Sequence, residues 1–306
     1  MCIETTSAPV VKARSRTLAP REAGLERKER IFTMKKTIAS GLVAITVLSS
    51  ALAFSAAASG PTGGVPISID GAAPTQSITS FIQNGTTWVS IRDFANAMGT
   101  CTVIWTPYTA TVMAPGLTIY ATAGEQYIIA NGRYLFVPDG CQLVGGSMMV
   151  PIRVLAKAYD ATVSWDEASK TVLVTSGSGA IAPGSVFYND NDVYWLSRII
   201  HAEARGESLA GKIAVANVVL NRVASPMYPS TIRDVIFDRA HGIQFTPAYT
   251  GAIYNTPGEE SVIAAKIALD GGNTAGKSLF FASTAKCWAA KARPFEITIG
   301  NHYFYA

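Results

Sequence analysis

The feature that most constrains this chain is an internal repeat. Thr87-Trp88-Val89-Ser90-Ile91-Arg92-Asp93-Phe94-Ala95 corresponds to Met148-Met149-Val150-Pro151-Ile152-Arg153-Val154-Leu155-Ala156. Each copy then runs through a short helix to a strand bearing Trp105 or Trp165. A turn comes next (Thr106-Pro107-Tyr108 or Asp166-Glu167-Ala168), then a second strand, Ala110 to Met113 or Lys170 to Val174. The copies lie 61 residues apart at Arg92 and Arg153 but 60 apart at the tryptophans, so one residue was gained or lost between them. A copy this small cannot bury its own apolar face, so the two are expected to pack together as one α+β unit over residues 59–176.

In both copies these residues, with their Pro-Ile-Arg and Trp-Asp signatures, resemble the copper amine oxidase N-terminal-like domain, a stalk-type module frequent in secreted proteins of Gram-positive bacteria. The resemblance implies neither copper nor an oxidase. No histidine occurs between Ser59 and Tyr188, which leaves no imidazole copper site there. A wall-attachment or spacer role and a purely structural one both stay open. The stretch SGSGAIAPG, Ser176 to Gly184, has linker composition, and residues 177–188 are expected to separate this unit from the C-terminal part of the chain.

Ahead of the repeat, Met34-Lys35-Lys36, an apolar run from Thr37 to Phe54 and Ala56-Ala57-Ala58 have the order of a secretory signal peptide over residues 34–58. The run is short for a membrane span and is broken by Ser40, Thr46, Ser49 and Ser50. Residues 1–33 are polar, Arg-rich and without hydrophobic period, and are read as a leader upstream of a start at Met34. The chain's charge of +4 comes from these segments. From Ser59 onward 16 Lys and Arg face 17 Asp and Glu, so nothing points to nucleic acid, and membrane contact is expected only through the signal peptide before cleavage. Cys101 and Cys141 share one unit and are candidates to pair after export.

Residues 189–306 form a second unit, large enough for one core. Val193, Leu196, Ile199 and Ile200 share a face at 100° per residue, with Asp190 or Asn191 as cap, and Glu203 falls in the middle of that face. A carboxyl that continues an apolar stripe has its ionised form disfavoured, which is what a general acid near neutral pH needs. Gly206 ends this helix, and Ala214 to Val223 is apolar on all sides, a helix buried against it. Thr256-Pro257-Gly258-Glu259 reads as a capping box opening a further helix that stops at Gly271-Gly272. Lys277 to Ala282 and Glu296 to Tyr305 read as short strands, the second turning at Gly300-Asn301. The fold class expected for the whole chain is α+β, with a repeat-built module followed by a mainly helical one carrying a small β element.

His201-Ala202-Glu203-Ala204-Arg205-Gly206-Glu207, Gly211, Ala214-Val215-Ala216, Val219-Leu220-Asn221-Arg222-Val223, Gln244-Phe245-Thr246, Arg293-Pro294 and Ile299-Gly300-Asn301-His302 resemble the SleB-like cell wall hydrolase family of spore-cortex-lytic enzymes. The resemblance implies a lysozyme-like, transglycosylase-type fold acting on peptidoglycan, with Glu203 as catalytic acid. Relatives often carry a peptidoglycan-binding helical module in front, where this chain has its repeat, and that departure leaves targeting to the spore cortex open.

A glycosidase commonly needs two carboxylates about 5–10 Å apart. Among the other acids, Asp192, Glu259, Glu260 and Asp270 suit caps or exposed faces, and Glu207 suits a helix-terminal polar role. A one-acid route is therefore attractive. Glu203 would protonate the oxygen between N-acetylmuramic acid and N-acetylglucosamine, then accept a proton from the muramyl 6-hydroxyl as it closes a 1,6-anhydro ring. Gln244, Thr246 and Tyr254 are candidate substrate contacts, as the transglycosylase resemblance also implies, and Phe245, Tyr249 and Trp288 are flat faces that suit either sugar or core. His201, His241 and His302 lack metal-ligand spacing, so no metal or cofactor is expected. The alternatives are an N-acetylmuramoyl-L-alanine amidase, a hydrolytic muramidase and a non-enzymatic wall-binding stalk protein. A secreted protein associated with wall or cortex is expected.

Overall fold

A computed structural model of the chain describes residues 64–240 and 242–306. The expected signal peptide, the segment before it and His241 lie outside the described residues. No helix among the described residues is long and apolar enough to cross a membrane.

The repeat is a pair of equivalent halves. In the first copy, strands β1 (Ile67–Ile69), β2 (Ser80–Gln83) and β3 (Thr86–Ser90) lead into helix α1 (Ile91–Met98), then β4 (Thr102–Thr106) and β5 (Thr109–Ala114). Three more strands, β6 (Leu117–Thr122), β7 (Tyr127–Ala130) and β8 (Arg133–Phe136), extend the sheet β4-β5-β6-β7-β8. The second copy supplies β9 (Gln142–Val144), β10 (Ser147–Pro151), α2 (Ile152–Ala158), β11 (Thr162–Asp166) and β12 (Thr171–Thr175).

The copies join at β3 and β10, the central strands of the antiparallel sheet β2-β3-β10-β9. Val150 pairs with Val89, its own equivalent, while Met149 faces Ser90 and Pro151 faces Trp88. A local two-fold axis therefore passes between Val89 and Val150. The turns obey the same relation, since Asn84 and Gly85 (φ 50° and 71°) match Gly145 and Gly146 (φ 55° and 79°). These left-handed pairs suit the twist of tight two-residue hairpins. Trp88, Val89, Phe94, Met148, Met149, Val150 and Leu155 are buried in the shared core, so neither half owns its interior.

Cys101 and Cys141 are not bonded to each other. The Cys101 thiol donates to Asn96 Oδ1 and the Cys141 thiol to the Tyr127 carbonyl.

The second module is a helical bundle closed by a small sheet. Helix α3 (Gly184–Phe187) is followed by α4 (Asp190–Ala204), α5 (Leu209–Val223), α6 (Ile232–Ile236), α7 (Pro247–Thr250), a 3₁₀ turn (Ala252–Tyr254) and α8 (Glu259–Leu269). Strand β13 (Phe280–Ala282), helix α9 (Trp288–Ala292) and the hairpin β14 (Phe295–Ile299) and β15 (His302–Tyr305) complete it, with β15 central. The hairpin turns at Gly300-Asn301, where the glycine and asparagine pattern places it. Helices α4, α5 and α8 pack on one another around Leu196, Ile199, Ile200, Ile213, Ala216, Val219, Ala264 and Ile267.

Two caps differ from expectation. Asn189, rather than Asp190 or Asn191, caps α4, its side chain accepting from Asn191 N (2.9 Å) and Asp192 N (3.2 Å). That frees Asp190 and Asp192 to sit in the first turn, where the helix dipole favours them. The Thr256 capping box does not form. Gly258 is the N-cap of α8 without a side-chain bond, and its N–H donates to His201 Nδ1 at 3.2 Å.

The segment 177–188, expected as a spacer, is docked on both modules. Gly184 N donates to the Asn131 carbonyl at 2.8 Å, and Asn131 Nδ2 donates to the Ile181 carbonyl at 3.1 Å. A Cβ on Gly184 would come 2.5 Å from the Gly132 carbonyl oxygen, so this glycine serves close approach rather than flexibility. At the junction Asp270, the C-cap of α8, is buried. Its carboxylate accepts from Arg133 Nε (2.9 Å), Arg133 Nη2 and the Tyr188 hydroxyl, and its carbonyl from Lys157 Nζ. The Tyr188 oxygen in turn accepts from Tyr134 N at 3.0 Å, and the Arg133 guanidinium lies 3.3 Å over the Phe187 ring. Tyr127, Tyr134 and Phe136 of the repeat pack on the core of the helical module. The linker is thus a seam between two surfaces held by buried charge.

Candidate active site

Helix α5 is apolar along most of its surface, yet it carries Asn217, Asn221 and Arg222. Each of these holds backbone carbonyls of the loop between α8 and β13. Asn217 Nδ2 donates to Gly272 O (2.8 Å), and Asn221 Nδ2 to Gly276 O (3.0 Å) and Ser278 O (2.9 Å). Arg222 Nε donates to Leu279 O at 2.8 Å. Buried carbonyls need donors, and these three side chains supply them, fixing where β13 begins.

Arg222 also donates from Nη2 to Gln244 Oε1 at 3.2 Å, and its guanidinium lies over Tyr228, Phe245 and Phe280 at 5.1, 5.2 and 5.3 Å. Burial lowers its pKa. It is 4% exposed, and its contacts set one wall of a cavity of about 550 Å³. Sequence reasoning places Arg222 only within a motif. A basic residue within the run Ala214 to Val223, which is otherwise apolar but for Asn217 and Asn221, is the signal that could have singled it out.

Glu203 opens into this cavity from the last turn of α4, together with Gln244, Phe245 and Thr246 from the segment before α7. Phe280, Phe281 and Ala282 of β13, Cys287, Trp288 and Ala289 around the start of α9, and His302 of β15 line the opposite side. Desolvation by burial raises the Glu203 pKa. Its place at a helix C-terminus, where the carbonyl ends disfavour an anion, acts in the same direction. Among the described residues no salt bridge reaches it, and it is the one carboxylate lining the cavity.

The predicted contacts divide. Glu203, Gln244 and Thr246 are brought together. Gln244 has its amide oxygen on Arg222, and its Nε2 donates to Gly242 O at 3.2 Å. Tyr254 does not line the cavity. It lies in the 3₁₀ turn, exposed, with its ring edge-on to Trp195 at 6.3 Å, because the left-handed Gly251 redirects the chain after α7. Of the flat faces, Phe245 is buried under the cavity floor and Tyr249 donates its hydroxyl to the Phe237 carbonyl, both structural placements. Trp288, 62% exposed at the rim, is the one whose ring is largely open to solvent, with the Phe280 ring edge-on to it at 5.6 Å.

Glu207 is tied elsewhere. Its carboxylate accepts from Asn301 Nδ2 (2.9 Å) and Asn301 N (3.2 Å), and the Asn301 side chain first among these bonds holds its pKa below the usual carboxylate range. It joins the α4–α5 turn to the β14–β15 hairpin. His201 faces α8 through Gly258, while His302 lines the cavity with its ring edge against Phe281 at 5.2 Å. Among the described residues no three His, Cys, Asp or Glu side chains are grouped to hold a metal ion.

Residues 206–305 match the family described as Cell Wall Hydrolase, and residues 68–174 match the Copper amine oxidase N-terminal domain. The spore cortex-lytic enzyme of Halalkalibacterium halodurans is 37% identical over 119 residues, covering 38% of this chain and 35% of that protein. The spore cortex-lytic enzyme of Bacillus cereus is 38% identical over 120 residues, 38% of this chain and 45% of that protein. The chain thus spans less than half the length of these curated relatives. Among solved structures, the catalytic domain of a germination-specific lytic transglycosylase, SleB, from Bacillus anthracis is 35% identical. That match covers 41% of this chain and all of that one, with a TM-score of 0.36. The matched family span begins just after Glu203, so the role of that residue rests on its geometry.

Proposed function

Because its helical module belongs to the cell wall hydrolase family and its repeat to the copper amine oxidase N-terminal domain family, we propose that this chain cuts the glycan strands of bacterial peptidoglycan, with Glu203 as the proton donor. The observation that carries the reading is a carboxyl whose pKa is raised by burial, in the wall of an open cleft whose rim offers an exposed indole. Neutral donors and a flat aromatic face suit acetamido sugars, and a buried carboxyl suits the bridging oxygen.

The reaction proposed is a lytic transglycosylation. Glu203 gives its proton to the oxygen linking muramyl C1 to the next N-acetylglucosamine, and that bond breaks. The resulting carboxylate then takes the proton of the muramyl 6-hydroxyl as its oxygen bonds to C1. The proton returns to Glu203, no water is consumed, and the new end is a 1,6-anhydro sugar. A lone lining carboxylate among the described residues favours this route over a two-carboxylate hydrolysis. The wall acted on is vegetative peptidoglycan or spore cortex, and the names of the relatives favour cortex.

Mass spectrometry of fragments released from purified sacculi tests this. Anhydro-muramyl ends are expected. Reducing muramic ends would make the enzyme a hydrolytic muramidase, free peptides an amidase, and no release at all a wall-binding protein. Release from cortex but not from vegetative sacculi would assign the muramic δ-lactam as a requirement.

The proton-donor role also fixes a pH dependence. Activity needs the protonated carboxyl, so it is expected to fall as pH rises through a Glu203 pKa that burial places above the ordinary glutamate range. A profile of kcat/KM with no basic limb between pH 5 and 9 would rule out this assignment.

A further inference from the structure

A second cavity of about 450 Å³ adjoins the first, lined by Met227, Tyr228, Gln244, Phe280, Trp288 and Arg293. Gln244, Phe280 and Trp288 line both cavities, so the two are compartments of one groove. The second contains no acidic residue. Its cation comes from Arg293, an exposed residue at the end of α9 whose backbone N–H donates to Ala289 O at 2.9 Å and whose guanidinium lies over Phe280 (5.1 Å) and Trp288 (5.7 Å). Among the described residues no carboxylate pairs with it. The other guanidinium of the groove, Arg222, is buried and directed at Leu279 O and Gln244.

We infer that this side compartment is a binding site for a carboxylate carried by the substituent at the muramyl C3 position, with Arg293 as the recognising residue. A planar guanidinium can meet a carboxylate through two parallel N–H bonds, and the two rings beneath this one restrict where it can go. Glycan strands carry no charge along the sugars themselves. Their carboxylates hang from the lactyl ether of each muramyl residue, either as the free lactyl acid or at the ends of the peptide joined to it. A strand lying past Glu203 would direct such a group sideways into an adjoining compartment. Muramic δ-lactam, which has no carboxylate at this place, would leave Arg293 without a partner. The inference rests on the glycan-strand reading of the main cleft, and names what that cleft selects.

Binding without turnover separates the two. In the full chain carrying Glu203→Gln, calorimetry is run with disaccharide-peptide fragments, with the same fragments after their carboxylates are converted to amides, and with peptide-free fragments bearing the lactyl acid. The anionic peptide form is expected to bind about tenfold more tightly than the amidated one, a preference that weakens with added salt and falls to about one when Arg293→Gln is added. Arg293→Lys, which keeps the charge but not the fork, should retain part of it. Equal preference for the lactyl acid would show that either carboxylate serves, and a preference confined to the peptide form would assign it to the peptide. No preference, a preference that survives Arg293→Gln, or no binding of any fragment would overturn the inference. An Arg293-dependent preference in a chain whose unmodified form releases nothing from sacculi would leave the site standing and remove the catalytic reading instead.

Discussion

Glu203→Gln is expected to cut the release of muropeptides from purified sacculi by about 10²- to 10⁴-fold, the range a positioned general acid contributes. Glutamine keeps the shape and polarity of the side chain and removes only its transferable proton. The same substitution is expected to leave the protein as stable as before in acid and more stable in alkali. Burial raises the Glu203 pKa, so the folded state holds this proton more tightly than the unfolded chain does. Stability therefore declines as pH climbs from the unfolded value through the folded one, and the full penalty for a buried anion is present above it. Glutamine carries no such penalty. Melting curves of both proteins at pH 5 and pH 8 should diverge in favour of the variant at the higher pH. Undiminished release by Glu203→Gln would dismiss the carboxyl as donor. A variant less stable than its parent at pH 8 would show that the site is built to hold an anion.

The second large effect lies at the seam between the modules. Asp270→Ala leaves Arg133 buried without its partner and strips the Tyr188 hydroxyl of its acceptor. Removing one member of a buried pair costs about 3–5 kcal/mol, which for a protein of this size lowers the melting temperature by roughly 10 °C. Because the same carboxylate closes the seam, limited proteolysis should open new cuts between residues 176 and 188, a stretch that is docked in the parent. Replacing both charges with apolar residues, Arg133→Met with Asp270→Leu, should recover most of the loss. If Asp270→Ala melts as the parent does and resists protease equally, the modules are held by their apolar contacts alone.

What is legible in the sequence is what depends on near neighbours. The repeat can be read because each copy restates the same strand, turn and helix. The Glu203 face can be read because helical spacing puts Leu196, Ile199 and Ile200 beside it. The β14–β15 turn announces itself in Gly300-Asn301. What stays hidden depends on partners far along the chain. Arg133 and Asp270 are 137 residues apart, and nothing local marks either as buried, so a Gly/Ser/Pro stretch reads as a spacer. His201 meets Gly258 across 57 residues, which is why a local capping box over Thr256 misleads. Analogy places Tyr254 at the cleft, and one left-handed glycine turns it away. Arg222 is visible as a motif member, but its role as the strut of the cavity wall comes from carbonyls that only the fold presents.

The pairing of Val150 with Val89 has a consequence of its own. A strand that bonds to its own duplicate across an axis offers an edge complementary to itself. A chain holding one copy would therefore carry the contact needed to recruit a second molecule, and fusing two such genes end to end would make that encounter intramolecular. The single-residue discrepancy between the tryptophans falls away from the axis, where drift between halves is tolerated. At the axis any substitution faces its own counterpart, so one half cannot change there without testing the fit of the other.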